Sequence, residues 1–288
     1  MARRDAEGGL TLKTPVVLTI AGSDSGAGAG VQADLKTFAA LGVYGVSALT
    51  AVTAQNTRGV RAVHDLPARI VAAQIDAIFE DFNVAAVKIG MLANLEIVEA
   101  VADALFRFSG RFVVLDPVMI ASSGDALIGP AAVSAMRSRL FPLVDCLMPN
   151  LPEAAALLGG DIARDEAGMI AQGVALLRFG PRAVLMKGGH LESAEPIDVL
   201  VTAAGTRSYP GARIASRNLH GTGCTLSAAL AAHIVMGWEL AEAAARAKTF
   251  VARAIEAGRH ATLGAGPGPL LQAPLASAFG YSPARRDA

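Results

Sequence analysis

A thiol placed at the start of a helix behind two glycines can do chemistry that few other arrangements allow. In the run Asn218-Leu-His-Gly-Thr-Gly-Cys-Thr-Leu-Ser227, the turn Gly221-Thr222-Gly223 leads into an apolar stretch from Leu226 to Met236. Glycines free the backbone to turn tightly and to approach a ligand closely. The first amides of a helix have no intrahelical acceptor and carry partial positive charge, so such a start receives an anion. Cys224 falls in that first turn, where a thiolate is stabilised; a buried structural cysteine is the plainer reading of the same residue. An anion cradle with an ionisable group beside it suits phosphoryl transfer to a small hydroxyl. His220 either adds a second phosphate contact or simply hydrogen-bonds within its loop.

Other residue types could complete such a site, and each also has a plain structural reading. Gln55 follows a strand, and its amide offers the donor and acceptor that the edge of a nitrogen heterocycle needs; it could equally bond loop backbone. Asp34 lies one turn into a helix, as a ligand group or as a solvated residue. Asp116 ends a strand, and Asn150 and Glu153 stand in Asn-Leu-Pro-Glu at a helix start. That spacing is a capping box. The same carboxylates, Asp116 and Glu153, could hold a water-coordinated magnesium ion, which favours a few carboxylates with waters and phosphates. Lys187 follows an apolar strand and precedes Gly188-Gly189, as a phosphate contact or a solvated loop lysine.

These residues need a scaffold, and the chain alternates short β-branched runs with longer helical ones. Strands are expected at Val16–Ile20, Ser47–Val52, Ala86–Ile89, Phe112–Leu115, Cys146–Met148 and Ala183–Met186. Helices are expected over Val31–Leu41, Pro67–Glu80 (with Ile70, Val71, Ile75 and Ile78 inward), Leu95–Phe108 and Pro130–Leu140. Further helices follow Asn150 and span Asp165–Arg178, Cys224–Met236 and Leu240–Ala257. Two antiparallel strands are expected between Val199 and Ala215. This alternation implies an α/β fold in three layers, with a mostly parallel central sheet and helices on both faces. In such sheets ligands bind beyond the carboxyl ends of the strands. Ser23, Gln55, Met91, Asp116, Asn150 and Lys187 all fall there. The glycine loop Gly22–Gly30 also follows a strand and opens a helix, but it has neither GxGxxG spacing nor a GK[ST] ending. One domain is expected over residues 15–265. Residues 1–14 read as an N-terminal tail and 266–288 as a C-terminal tail, the chain from Gly264 being rich in Gly and Pro.

Composition narrows the function classes. The 288 residues are 53% hydrophobic with zero formal net charge and no basic cluster. That argues against nucleic-acid or anionic-membrane partners. Two cysteines make no disulfide scaffold, and no Cys/His cluster has zinc spacing. No signal peptide or membrane-spanning run is read, so a cytoplasmic location is expected.

Seven ordered blocks carry a family resemblance: Leu18–Phe38, Ala54–Val60, Lys88–Leu92, Val114–Met119, Pro149–Ala154, Met186–His190 and His220–Thr225. Together they resemble the ribokinase-like superfamily, and within it the hydroxymethylpyrimidine/phosphomethylpyrimidine kinases of thiamine biosynthesis. The resemblance implies ATP-dependent phosphorylation of a small aminopyrimidine alcohol and then of its monophosphate, with ATP and Mg2+, by a homodimer. By position it implies that Gln55 and Asp34 bind the pyrimidine, with Ala29, Met91 and Val118 as pocket wall. It places Cys224 where most superfamily members have a catalytic Asp, with Gly221, Thr222 and Gly223 as the anion loop. Asp116, Asn150 and Glu153 would organise magnesium; Lys187, Thr222 and Asn150 would serve the nucleotide. One departure is Gly26-Ala27-Gly28 in place of a Ser-Gly-Gly run, which puts alanine where a positive φ costs most. A vitamin B6 kinase is the nearest alternative, since its substrate is also a flat heterocycle with a hydroxymethyl group. A non-catalytic ligand-binding protein on the same fold is the remote one.

Overall fold

Small and β-branched residues form the strands, and their parity decides what each face of the sheet presents. The computed structural model describes residues 2–4, 10–12, 14–119, 128–189, 191 and 195–272. Near the N-terminus, β1 (Ala2–Arg4) and β2 (Leu10–Leu12) make a separate antiparallel hairpin where a plain tail was expected. The main sheet has nine strands: β3 (Val16–Asp24), β4 (Tyr44–Asn56), β5 (Gly59–Asp65), β6 (Val84–Ile89), β7 (Phe112–Leu115), β8 (Cys146–Leu147), β9 (Ala183–Met186), β10 (Ile197–Thr202) and β11 (Gly205–Pro210). Their order is β11-β10-β9-β8-β7-β6-β3-β4-β5. The central pairings from β4 to β9 are parallel, while β5 and the β10–β11 hairpin add antiparallel edges. β5 was not anticipated. Its residues are mostly exposed, so it carries no alternation of buried and exposed positions to betray a strand.

Helices cover both faces: α1 (Gly30–Ala40), α2 (Ala68–Asp81), α3 (Leu95–Arg107), α4 (Pro130–Ala135), α5 (Leu151–Leu158), α6 (Glu166–Leu177), α7 (Thr222–Val235) and α8 (Leu240–Gly258). The single helix expected over Pro130–Leu140 is α4 followed by a π turn, Met136–Leu140, and a 3-10 turn, Phe141–Leu143. On α2 the inward stripe is Val71, Ile75 and Ile78; Ile70 is 40% exposed, one step around the helix. One core holds Leu18, Val87 and Leu115 under α2 to α6; the other holds Val17, Ala86 and Val114 under α1, α7 and α8. α7 is buried nearly all round, with Ala228, Ala229, Leu230, Ala231 and Ala232 fully enclosed. Alanines let it press against the sheet while α8 and α1 pack over it.

The same parity puts three polar residues on the α1/α7 side: Thr19 follows Val17, Lys88 follows Ala86, and Asp116 follows Val114 at two-residue steps. Lys88 therefore projects into an apolar layer and must find a counter-charge. It meets Asp34 on α1 at 2.8 Å, with both side chains fully buried, and the Thr19 hydroxyl donates to the same carboxylate oxygen at 2.6 Å. Burial alone favours a neutral amine, but the Asp34 carboxylate and nearby acidic groups outweigh it and hold the Lys88 pKa above its ordinary value.

Beyond α8 the chain does not become a free tail at residue 266. Leu270 is 1% exposed and Gln272 donates to Thr225 at 3.1 Å, so the packed domain runs at least to Gln272.

Removing one partner of a buried ion pair strands the other charge. Lys88→Met is expected to lower unfolding stability by about 3–5 kcal/mol, with much of it recovered in Lys88→Met/Asp34→Asn. Urea denaturation of both variants checks this; a double variant as damaged as the single would refute the pairing.

Candidate active site

The site forms where the parallel strands end. Beyond the last paired residues the ladder continues through loop backbone: Gly90 N–H donates to Ile20, Asp116 N–H to Ile89, Met148 N–H to Leu115 and Lys187 N–H to Pro149, all at 2.8–2.9 Å. This brings Met91, Asp116, Asn150 and Lys187 to one edge. They line a cavity of about 1020 Å3 together with Ala29, Gln55, Val118, Glu153 and the Gly221–Cys224 turn. Arg213, Leu226, Lys248, Val251, Ala252 and Ile255 also line it. Sites for drug-sized ligands run roughly 300–1,000 Å3, so this cavity is at the upper end of that range.

Gly221 is the N-cap of α7 with φ +87°, and a Cβ there would lie 1.8 Å from the Gly28 carbonyl oxygen. Both the left-handed backbone and the close approach demand glycine. The two glycine loops therefore touch. Gly30 does the same for the first loop, since a Cβ on it would sit 2.3 Å from the Gly22 oxygen at φ +59°. Ala27 is the one non-glycine described residue with positive φ, at +58°. The sequence departure noted above thus falls on the position where alanine is strained.

Asp24, which sequence reasoning passed over, organises that loop. Its carboxylate accepts from the amides of Gly26, Gly28 and Ala29 at 2.8–3.0 Å, and it meets His220 Nε2 at 2.9 Å. Burial alone raises its pKa, but these bonds, the His220 bond first, leave it below the ordinary value. His220 is thus a cross-loop partner, and Gln55 Nε2 also approaches its ring at 3.3 Å. An Asp two residues before a glycine was the available signal, because Asp side chains bond their own downstream amides.

Asp116 and Glu153 converge on Lys187. Its ammonium pairs with Asp116 and lies 3.6 Å from Glu153, while the Ser227 hydroxyl on α7 donates to Asp116 at 3.2 Å. Burial alone would lower the Lys187 pKa, but the two carboxylates raise it. Burial pushes Glu153 up despite Lys187. Asn150 and Glu153 also make the full capping box of α5, with reciprocal bonds of 2.8 and 2.7 Å. Structural and site roles coincide there. Lys187 is not a solvated loop lysine, being only 12% exposed along its side chain. Asp198 was also missed: it accepts from Gly188 N–H at 3.0 Å and from Lys248 at 2.8 Å, holding the turn after Lys187. Among the described residues no group of three or more His, Cys, Asp or Glu converges as a metal site.

Two site residues sit in surroundings that the local sequence did not announce. Asp34 is fully buried and is not among the residues that line the cavity; Lys88 and Thr19 both bond its Oδ2, while its Oδ1 is buried with no hydrogen-bond partner. The signal for this was a lysine inside the apolar run Val84–Ile89, which requires an internal partner. Cys224 is partly exposed at the cavity, but its thiol is not a ready thiolate. Burial pushes its pKa up to about 11, Lys88 pulling it down and Asp34 and Asp116 pushing it further up. The helix start and the Gly30 amide do not offset the loss of water.

A sequence profile for the family described as phosphomethylpyrimidine kinase matches residues 24–271. The hydroxymethylpyrimidine/phosphomethylpyrimidine kinase of Rhizobium meliloti is 54% identical over 257 residues, covering 89% of this chain and 96% of that protein. The crystal structure of phosphomethylpyrimidine kinase from Clostridium difficile 630 matches with a TM-score of 0.75 and 42% identity, over 84% of this chain and 100% of that one. Pyridoxal kinase from Bacillus subtilis, solved as an ADP complex, matches with a TM-score of 0.84 and 34% identity, over 90% and 98%.

Because folding raises the Cys224 pKa from near 9.0 to about 11, its proton binds the folded state more tightly. The stability this supplies is complete below about pH 9 and is lost as pH rises toward 11. Iodoacetamide labelling of Cys224, followed by mass spectrometry, should keep climbing about tenfold per pH unit past pH 9, where an ordinary thiol levels off. A plateau near pH 8.5 would show a thiol unperturbed by its surroundings.

Proposed function

The chain belongs to the phosphomethylpyrimidine kinase family, and from that membership we propose that it transfers the γ-phosphoryl group of ATP to 4-amino-5-hydroxymethyl-2-methylpyrimidine. It then phosphorylates the monophosphate to the diphosphate, as a step of thiamine biosynthesis. The observation that carries this reading is the glycine-bracketed start of α7, with Cys224 beside it, inside a cavity large enough for a heterocycle and a nucleotide.

In this reading Gln55 reads the polar edge of the pyrimidine, and Ala29, Met91 and Val118 wall it. The Gly221–Cys224 amides receive the charge that develops on the transferred group. Lys187 and Thr222 contact the nucleotide phosphates, and the walls of α8 and β11 take the adenosine end. Asp116 and Glu153, with Asn150 beside them, are the residues that would hold Mg2+. Two carboxylates sharing one ammonium at a phosphate site fit the donor set that ion prefers. When bound it neutralises phosphate oxygens. Cys224 takes the hydroxyl proton in its minor thiolate form, while positioning supplies most of the rate, since a loose phosphoryl transition state needs little deprotonation.

The pyridoxal-kinase alternative keeps one specific support, the TM-score of 0.84 to the Bacillus subtilis enzyme. The 54% identity to a pyrimidine kinase outweighs it. A non-catalytic binding protein is disfavoured because Lys187, Glu153 and Cys224 all line the cavity. The homodimer and the cytoplasmic location belong to the same proposal. Among the described residues no helix is long and apolar enough to cross a membrane. Tyr44, Val52, Val63 and Ile70, at 40–54% exposure, offer apolar surface to a second copy.

ADP release measured in parallel with the hydroxymethylpyrimidine, its monophosphate and pyridoxal is expected to show turnover of both pyrimidines. Dominant pyridoxal turnover would move the chain to B6 salvage. Cys224→Ala should lose about 10²-fold or more in kcat while still binding ATP, within the range usual for a general base. In the intact enzyme kcat should rise with pH between 7 and 9 as the thiolate fraction grows; a flat profile would leave Cys224 a purely positioning role. Gln55→Ala should raise KM for the pyrimidine more than it lowers kcat.

A further inference from the structure

The Gly/Pro run that closes the described chain, Gly264-Ala-Gly-Pro-Gly-Pro269, has no part in the chemistry above, yet it lies against both glycine-loop systems. Backbone contacts tie it to the turn that precedes α7. His220 N–H donates to the Gly268 oxygen at 3.2 Å, and His220 pairs with Pro269 as an isolated parallel bridge. Asn218, two residues before His220 and 1% exposed, ties three segments together. Its side-chain amide donates to the Gly258 and Ala261 oxygens at 2.7 and 2.8 Å, and its carbonyl accepts from Gly268 N–H at 3.0 Å. At the far end the run grips the turn between β4 and β5, where Gly266 N–H donates to the Thr57 hydroxyl at 3.1 Å. Thr57 is two residues beyond Gln55.

The glycines are there for contact. A Cβ on Gly268 would meet the Asn218 side-chain oxygen at 2.3 Å; one on Gly266 would meet the Thr57 carbonyl oxygen at 1.9 Å. A segment that merely covered the surface would not need such close approach at alternate residues, each time to a loop flanking the cavity.

We propose that residues 264–272 are a positioning strap that locks the Asn218–Cys224 turn to the tip of the β4–β5 hairpin, with Asn218 and Gly268 as its positioning residues. It keeps the acceptor end of the cavity and the phosphate end at one fixed spacing. Transfer depends steeply on that spacing, since a misplacement near 1 Å can cost on the order of 10²-fold in rate.

The turnover arm of the test rests on the kinase reading; the exchange arm does not. Gly268→Ala and Asn218→Ala are each expected to lower kcat by about 10- to 100-fold, with ADP affinity by calorimetry changed less than about threefold. The double variant should be no worse than Asn218→Ala alone, because the clash partner of the new methyl is gone. Thr57→Val, at a half-exposed hairpin tip, guards against folding failure. It should leave the melting temperature unchanged, raise pyrimidine KM several-fold, and increase hydrogen exchange across residues 218–224. Additive losses in the double variant, or unchanged exchange at 218–224 in Thr57→Val, overturn the strap. If the parent enzyme phosphorylates no offered acceptor, the functional reading fails while the exchange result still decides the strap.

Discussion

The architecture turns on one close approach: the Gly28 carbonyl against the Gly221 backbone, where a Cβ would come within 1.8 Å. Steric room of this kind is either present or absent, so the two glycine loops are placed jointly. From that contact follow the Asp24–His220 bond, the amide nest that Asp24 closes around residues 26–29, and the seating of Gln55 beside His220. The acceptor wall and the start of α7 are, in effect, one rigid piece built from residues almost 200 positions apart in sequence.

Electrostatics supplies the second layer of order. Burying a charge is costly unless it is paired, and this fold buries several close together. Lys88 answers Asp34, and Lys187 answers Asp116 and Glu153. Both lysines sit at or just beyond strand ends on the side covered by α7, so the first charge system lies beneath the cavity floor and the second is open to it. The difference separates structure from chemistry. Asp34 is sealed, whereas Asp116, Glu153 and Lys187 line the cavity. Cys224 feels both systems, and its pKa is raised because desolvation and two nearby carboxylates together outweigh one nearby ammonium.

Alanine at position 27 shows how a family frame tolerates local strain. Its φ of +58° costs about 1–2 kcal/mol relative to an unstrained backbone, yet the loop keeps its shape because the Asp24 carboxylate binds three amides around it. Hydrogen bonds from one buried carboxylate outweigh the preference of one residue.

Much of this was legible in the chain itself. The alternation of β-branched and amphipathic runs determined a layered α/β fold, because periods of 2 and 3.6 are set by backbone geometry alone. Glycine spacing before Cys224 determined a glycine-opened helix start, and Asn-Leu-Pro-Glu determined the cap of α5. What remained hidden depended on which residues meet across the sheet. β5 has no buried face to mark it. Asp34 and Lys88 are 54 residues apart and become partners only when α1 packs over β3, the neighbour of β6 in the sheet. The Gly/Pro run after α8 reads as a tail because its bonding partners, Asn218 and Thr57, lie far away in sequence. Local pattern decides elements and caps; burial, charge pairing and close approach are properties of the assembled fold, and those decided which polar residues face the cavity.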